Sequence, residues 1–144
     1  MKKGFTLNEI LIVIALLGIL SLITIPAFRN YRPSLQLGST AREIVTDLRY
    51  IKQLTLTEQK EYCLKFFPEE KKYQLFECGE TELLKEKVLP EEIKSLNVSG
   101  FTGNEVRYNP YGAVREAGTV ILENTQNKTK TISVKASGFV TVND

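Results

Sequence analysis

Histidine is absent from the 144 residues, which removes the imidazole routes to general-base catalysis and to zinc binding. Cysteine is scarce. Cys63 and Cys78 are the only two, too few to assume either a metal cluster or a disulfide framework. There is no glycine-rich phosphate cradle and no nucleophile with a base in view. An excess of one charge is missing as well: 19 basic against 17 acidic residues give +2, and residues 61–144 hold 11 basic and 13 acidic side chains. The C-terminal part is therefore no polycation, and a general phosphate-binding role has no support. The adjacent pairs Glu69-Glu70 and Glu91-Glu92 are the nearest approach to paired catalytic carboxylates, but neighbours on a turn or strand point apart and stay solvated. An enzyme is not expected, nor is a cofactor or a metal.

Apolar residues are plentiful but unevenly placed. Between residues 5 and 28 only Glu9 is charged. As a helix these residues run roughly 36 Å, enough to cross a hydrocarbon core of about 30 Å. No Ala-x-Ala pattern follows the run, so it does not read as a secretory signal peptide removed at its far end. Lys2 and Lys3 lie on one side of it, Arg29 and Arg32 on the other. Charge bias thus sets the orientation only weakly, although short basic N-termini generally stay cytoplasmic. A plain single-pass anchor would account for all of this except Glu9. An ionisable side chain at the bilayer centre costs on the order of 2.5–3.5 kcal/mol and tends to mark a function.

The segment Lys2-Lys3-Gly4-Phe5-Thr6-Leu7-Asn8-Glu9, running directly into the apolar stretch, resembles the class III leader of type IV prepilins and type II secretion pseudopilins. The resemblance implies a prepilin peptidase that cuts between Gly4 and Phe5 and N-methylates Phe5. It also implies that Glu9, the fifth residue of the mature chain, pairs with the N-terminal amine of a neighbouring subunit. Pro26 fits the same pattern, since members often carry a proline at this depth of the first helix. Physically it removes one backbone donor and crowds the carbonyl of Leu22. Asn8 departs from the apolar residue often found before the glutamate, which bears on packing more than on processing. Removing the leader also removes Lys2 and Lys3, so the formal charge falls from +2 to zero.

Pro33 is expected to interrupt the helix again, with Ser39 or Thr40 helping to start the next regular segment. Beyond it Leu37, Ala41, Ile44, Leu48, Ile51 and Thr55 recur at alternating spacings of four and three, an amphipathic stripe that predicts a helix lying against a sheet. From residue 61 the period changes. Residues 62–67 and 72–78 flank Pro68-Glu69-Glu70-Lys71, the pattern of a hairpin. Pairing centred between Glu70 and Lys71 would set Cys63 opposite Cys78 and Phe66 opposite Leu75, making a disulfide geometrically possible. A shift of one residue would put the thiols on opposite faces, and free buried thiols are the alternative. Residues 79–103 are charged and irregular and are expected to be loop-rich, with short strands at most. Apolar runs at 119–122, 131–134 and 139–142, separated by turn signals at 124–127 and Ser137-Gly138, predict antiparallel strands.

Arg107-Tyr108-Asn109-Pro110-Tyr111-Gly112, then Gly118-Thr119-Val120-Ile121-Leu122, then residues 132–134 and Gly138-Phe139-Val140 resemble the GspH/FimT group of minor pilins and pseudopilins. The expected fold is α+β: a long N-terminal helix, half membrane-spanning and half amphipathic, packed on an antiparallel sheet. The expected divisions are a cleaved leader at 1–4, an apolar helix at 5–32, an amphipathic half at 33–60 and a head at 61–144. The resemblance implies a structural subunit of a type II secretion pseudopilus or a type IV pilus, held in the bacterial inner membrane with its head in the periplasm before assembly. Its partners would be other pilin or pseudopilin subunits, the prepilin peptidase and the inner-membrane assembly platform. The alternative is a DNA-binding minor pilin acting in DNA uptake. Lys128, Lys130 and Lys135 offer a modest patch for it, but no arginines follow Gly138, so nucleic acid is not the expected partner.

Overall fold

The computed structural model describes residues 4–80 and 82–143, so Met1, Lys2 and Lys3 of the expected leader lie outside the described residues. The chain forms two compact units, Met1–Arg32 and Pro33–Asp144. One helical assignment, α1 (Leu7–Glu58), covers most of the first and opens the second. Pro33 does not interrupt it, contrary to the sequence reading, and no new helix start occurs at Ser39 or Thr40. A proline removes a single N–H, which leaves the carbonyl four residues back without its usual donor, and the bonds on either side can carry the helix past it.

In the second unit the stripe residues Leu37, Ala41, Ile44, Leu48, Ile51 and Thr55 are all buried. Thr55 satisfies its hydroxyl by donating to the carbonyl of Ile51 at 2.7 Å. Burying Leu37, Ile44, Leu48 and Ile51 at about 1.5–3 kcal/mol each contributes roughly 6–12 kcal/mol before entropy is counted.

That stripe belongs to one core with residues from two sheets. The strands are β1 (Tyr62–Phe67), β2 (Lys72–Glu77), β3 (Leu83–Val88), β4 (Ile93–Ser99), β5 (Glu105–Tyr108), β6 (Gly118–Asn124), β7 (Thr129–Val134) and β8 (Val140–Asn143). One four-stranded sheet runs in the order β3-β2-β1-β5 and the other in the order β4-β6-β7-β8, with antiparallel pairing throughout. The antiparallel pairing expected from the pattern is thus realised as two four-stranded sheets. The stretch expected to be loop-rich contains β3 and β4, each an edge strand.

The β1–β2 hairpin forms in a register two residues away from the expected one: Cys63 faces Phe76, Leu64 faces Leu75 and Phe66 faces Tyr73. Pro68-Glu69-Glu70-Lys71 is the whole loop, closed by the N–H of Lys71 on the carbonyl of Pro68, with Lys71 at φ 49°. Its centre therefore falls between Glu69 and Glu70. A two-residue shift keeps every side chain on its face, whereas a one-residue slip would not.

The β6–β7 and β7–β8 hairpins share one loop design. In each, three residues end in a left-handed conformation, Asn127 at φ 60° in the first and Gly138 at φ 72° in the second. This is the three-residue loop that matches the twist of antiparallel strands. At Gly138 the demand is also steric, because a Cβ would sit 2.1 Å from the carbonyl oxygen of Gly112.

Candidate functional site in the N-terminal segment

Gly4, Phe5 and Thr6 precede the first helical turn. Thr6 caps it. The backbone N–H and the hydroxyl of Thr6 each donate to Oε2 of Glu9 at 2.8 Å, and the N–H of Glu9 reaches back to the Thr6 hydroxyl at 3.3 Å. This is a capping box, in which a threonine and a glutamate three residues on satisfy each other's orphan groups. The Glu9 carboxylate therefore has a partner within its own chain. The Thr6-x-x-Glu9 spacing was readable as a cap in the sequence but was eclipsed by the cost of a charge in a spanning helix.

Gly4 has a different standing. A Cβ built on it would meet nothing within 4 Å, so neither packing nor crowding in this structure calls for glycine there. Phe5 stands 85% exposed, and Glu9 shares a shallow groove with Phe5, Ile10, Val13 and Ile14.

From Leu7 to Pro26 the helix is long and apolar enough to cross a membrane, and none of that stretch is buried within the protein. Its two hydroxyls are satisfied internally: Ser21 donates to the carbonyl of Leu17 and Thr24 to that of Leu20, both at 2.8 Å. Such back-bonding lets polar side chains sit in an apolar medium without an unmet donor. Pro26 lies exposed at the end of this span.

In the head, Cys63 and Cys78 are joined in a disulfide with Cα atoms 5.3 Å apart. Cys78 sits just beyond β2, where its N–H bonds the carbonyl of Glu61, so it lies diagonal to Cys63 on the same face rather than opposite. Oε1 of Glu105 approaches Cys63 Sγ at 3.0 Å and accepts from Arg107 Nη2 at 3.1 Å. A disulfide sulfur carries no proton, so the first contact is a close approach and not a hydrogen bond. Neither sulfur is a thiolate, and the grouping of Cys63, Cys78 and Glu105 is no metal centre in this form.

A buried polar link that the sequence reading missed ties the amphipathic half of α1 to the first sheet. Asp47 accepts from the Tyr73 hydroxyl at 2.7 Å and from Lys85 Nζ at 2.8 Å, and Glu43 pairs with Lys87 at 2.8 Å. Burial and the hydrogen bond to Asp47 push the Tyr73 hydroxyl well above the usual tyrosine range and keep it a donor. Of the lysines weighed for DNA, Lys128 donates to the Ser34 hydroxyl at 3.0 Å and the Lys135 ammonium lies 5.9 Å over the Phe139 ring.

Comparison with known proteins places these features. Residues 1–25 match the prokaryotic N-terminal methylation motif, and residues 40–138 match the family described as type II transport protein GspH. A curated fimbrial protein of Pseudomonas aeruginosa is 34% identical over 74 residues, which is 51% of this chain and 47% of that protein. The chain thus spans about half the length of the curated relatives it matches. In fold it is similar to the type IV minor pilin FimU of Pseudomonas aeruginosa, at TM-score 0.63 and 11% identity over 77% of this chain and 90% of that one. It is similar also to the minor pseudopilin EpsH of the Vibrio cholerae type 2 secretion system, at TM-score 0.64 and 9% identity over 75% and 96%. The chain belongs to the GspH family of type II transport proteins and carries the N-terminal methylation motif ahead of that match.

Proposed function

We propose that this chain is made as a membrane-held precursor, cut after Gly4 and N-methylated on Phe5, and then built through its apolar helix into a type II secretion pseudopilus or a type IV pilus. The observation that carries the reading is the wholly uncovered span of Leu7–Pro26. At about 1.5–3 kcal/mol for each large apolar side chain, such a surface cannot be left in water; lipid covers it before assembly, and neighbouring helices afterwards. Gly4 adds support, because a glycine that its own fold does not require is explained by an outside protein that reads it. The head would face the periplasm, where a disulfide between Cys63 and Cys78 is at home.

Glu9 has two roles in this scheme. In the single subunit its carboxylate is held by Thr6. Both the N–H and the hydroxyl of Thr6 survive a cut after Gly4, which frees the amine of Phe5 nearby in sequence. In the filament core that amine, on a neighbouring subunit, relieves the cost of the buried carboxylate, and the pairing sets the register between helices. Glu9→Ala is expected to leave membrane insertion intact and to prevent incorporation into filaments; assembly at native levels would refute the pairing. A bulky replacement of Gly4 should leave the precursor uncut in cells that make a prepilin peptidase. Loss of secretion in a deletion strain would assign the pseudopilus, and loss of motility or surface fibres the pilus.

A further inference from the structure

The free edge of the second sheet lies beside the amphipathic half of α1, within the same unit. Between them is a groove of about 530 Å³ lined on one side by Arg42, Val45 and Arg49 and on the other by Phe139, Val140 and Val142. Three properties of this groove point to one kind of occupant.

The first is unmet backbone pairing. The N–H of Lys135 bonds the carbonyl of Phe139, and β7 and β8 then pair Val134 with Val140, Ser133 with Thr141 and Ile132 with Val142. Inward-bonded and outward-facing pairs alternate in an antiparallel ladder, so the N–H and C=O groups of Val140 and Val142 face away from β7. Among the described residues the sheet has no strand beyond β8 to receive them. An edge in this state is a template for one more strand.

The second is charge. Arg42 donates only to the carbonyl of Gly38, at 3.1 Å, and neither Arg42 nor Arg49 has a carboxylate partner among the described residues. Among the described residues they are also the only charged side chains lining the groove. Seven helical residues separate them by roughly 10 Å. Residues on one face of a strand recur every 6.8 Å or so, and flexible arginine side chains can take up the difference. The third is apolar surface: Phe139 is 56% exposed, with only the Lys135 ammonium over its ring, and Val142 is 37% exposed.

We infer that this groove is a docking site for an extended segment of another pilin-like subunit in which acidic and apolar residues alternate, added as a fifth strand along β8 with its carboxylates on Arg42 and Arg49. The inference rests on the reading of the chain as a filament subunit. It adds a contact made by the head, distinct from the packing of N-terminal helices.

The test uses the purified full chain in detergent and two blocked probes, Val-Glu-Val-Glu-Val and its lysine counterpart Val-Lys-Val-Lys-Val, followed by amide resonances and exchange rates. The glutamate probe should bind in preference, shift the Val140 and Val142 amides and slow their exchange. Replacing both arginines (Arg42→Glu with Arg49→Glu) should weaken that probe roughly tenfold and turn the preference toward the lysine probe. Both arginines are exposed outside the core, and an unchanged far-UV spectrum checks that the variant folds. Equal binding of the two probes, or no response at Val140 and Val142, would overturn the proposal. So would a free chain that already self-associates through β8, because the occupant would then be a second copy. Failure of the probes alongside normal filament incorporation sinks this site alone, whereas absence of incorporation with intact probe binding counts against the assembly reading.

Discussion

Removing the Asp47 carboxylate should weaken the head far more than removing an exposed acid, and the size of the loss follows from its two partners. The Tyr73 hydroxyl is fully buried and donates to Asp47 at 2.7 Å. In Asp47→Ala that donor has no acceptor, which costs about 1–3 kcal/mol. Lys85, whose side chain is 40% exposed, can return its ammonium to water, so the ion pair adds at most about 1 kcal/mol. The expected total is roughly 1–4 kcal/mol. Tyr73→Phe should cost less, about 1 kcal/mol, because Asp47 keeps Lys85 and no buried donor is stranded. In the double variant the stranded hydroxyl is gone, so the two losses should not add. The assay is urea unfolding of the detergent-solubilised full chain, followed by the tyrosine signal of the head. A loss below about 0.5 kcal/mol for Asp47→Ala, or simple additivity, would refute the claim that this link fastens helix to sheet.

Other expected outcomes concern the disulfide, a turn and acid stability. Reduction of the bond between Cys63 and Cys78, which are 15 residues apart, should lower stability by about 3 kcal/mol. Alkylation without reductant should leave the mass of exported protein unchanged. Gly138→Ala, with its Cβ 2.1 Å from a carbonyl oxygen, should cost well over about 2 kcal/mol, whereas Gly79→Ala, at φ 97° with open space around it, should cost only about 1–2 kcal/mol; thermal melts of the two variants check the difference. The carboxyls of Glu86, Glu116 and Glu123 are held below the ordinary 4.5, chiefly by hydrogen bonds from Gln74, the Thr102 N–H and Lys94. Their folded values lie below their unfolded ones, so their stabilisation is complete above the ordinary value and is lost as pH falls through the folded ones. The urea midpoint should therefore decline below about pH 4.5, and a flat profile there would contradict these contacts.

What the sequence revealed and what it hid divide along physical lines. The stripe from Leu37 to Thr55 was legible because a helix facing a core must repeat near 3.6, and β6, β7 and β8 were legible from short apolar runs between strong turn residues. The strands β3 and β4, both edges, were hidden because neither carries a regular two-residue alternation of apolar side chains. Along β3, Lys85, Glu86 and Lys87 reach ion partners or solvent instead of a core, as edge strands commonly do. Along β4 the buried Ile93 and Leu96 stand three apart, since a register shift between Ile93 and Ser95 breaks the two-residue alternation. The hairpin centre was misplaced by one position, because only the folded loop shows that pairing stops at Phe67 and Lys72. At the N-terminus the leader pattern was plain. The role of Thr6 was not, because a cap and a charge in a spanning helix are written with the same glutamate.

The intact mass of the chain recovered from cells that make a prepilin peptidase tests the central claim most directly. Processing as proposed yields a polypeptide that begins at Phe5 and carries one added methyl group on its amine. A chain that retains Met1, or that begins at any other residue, would contradict it.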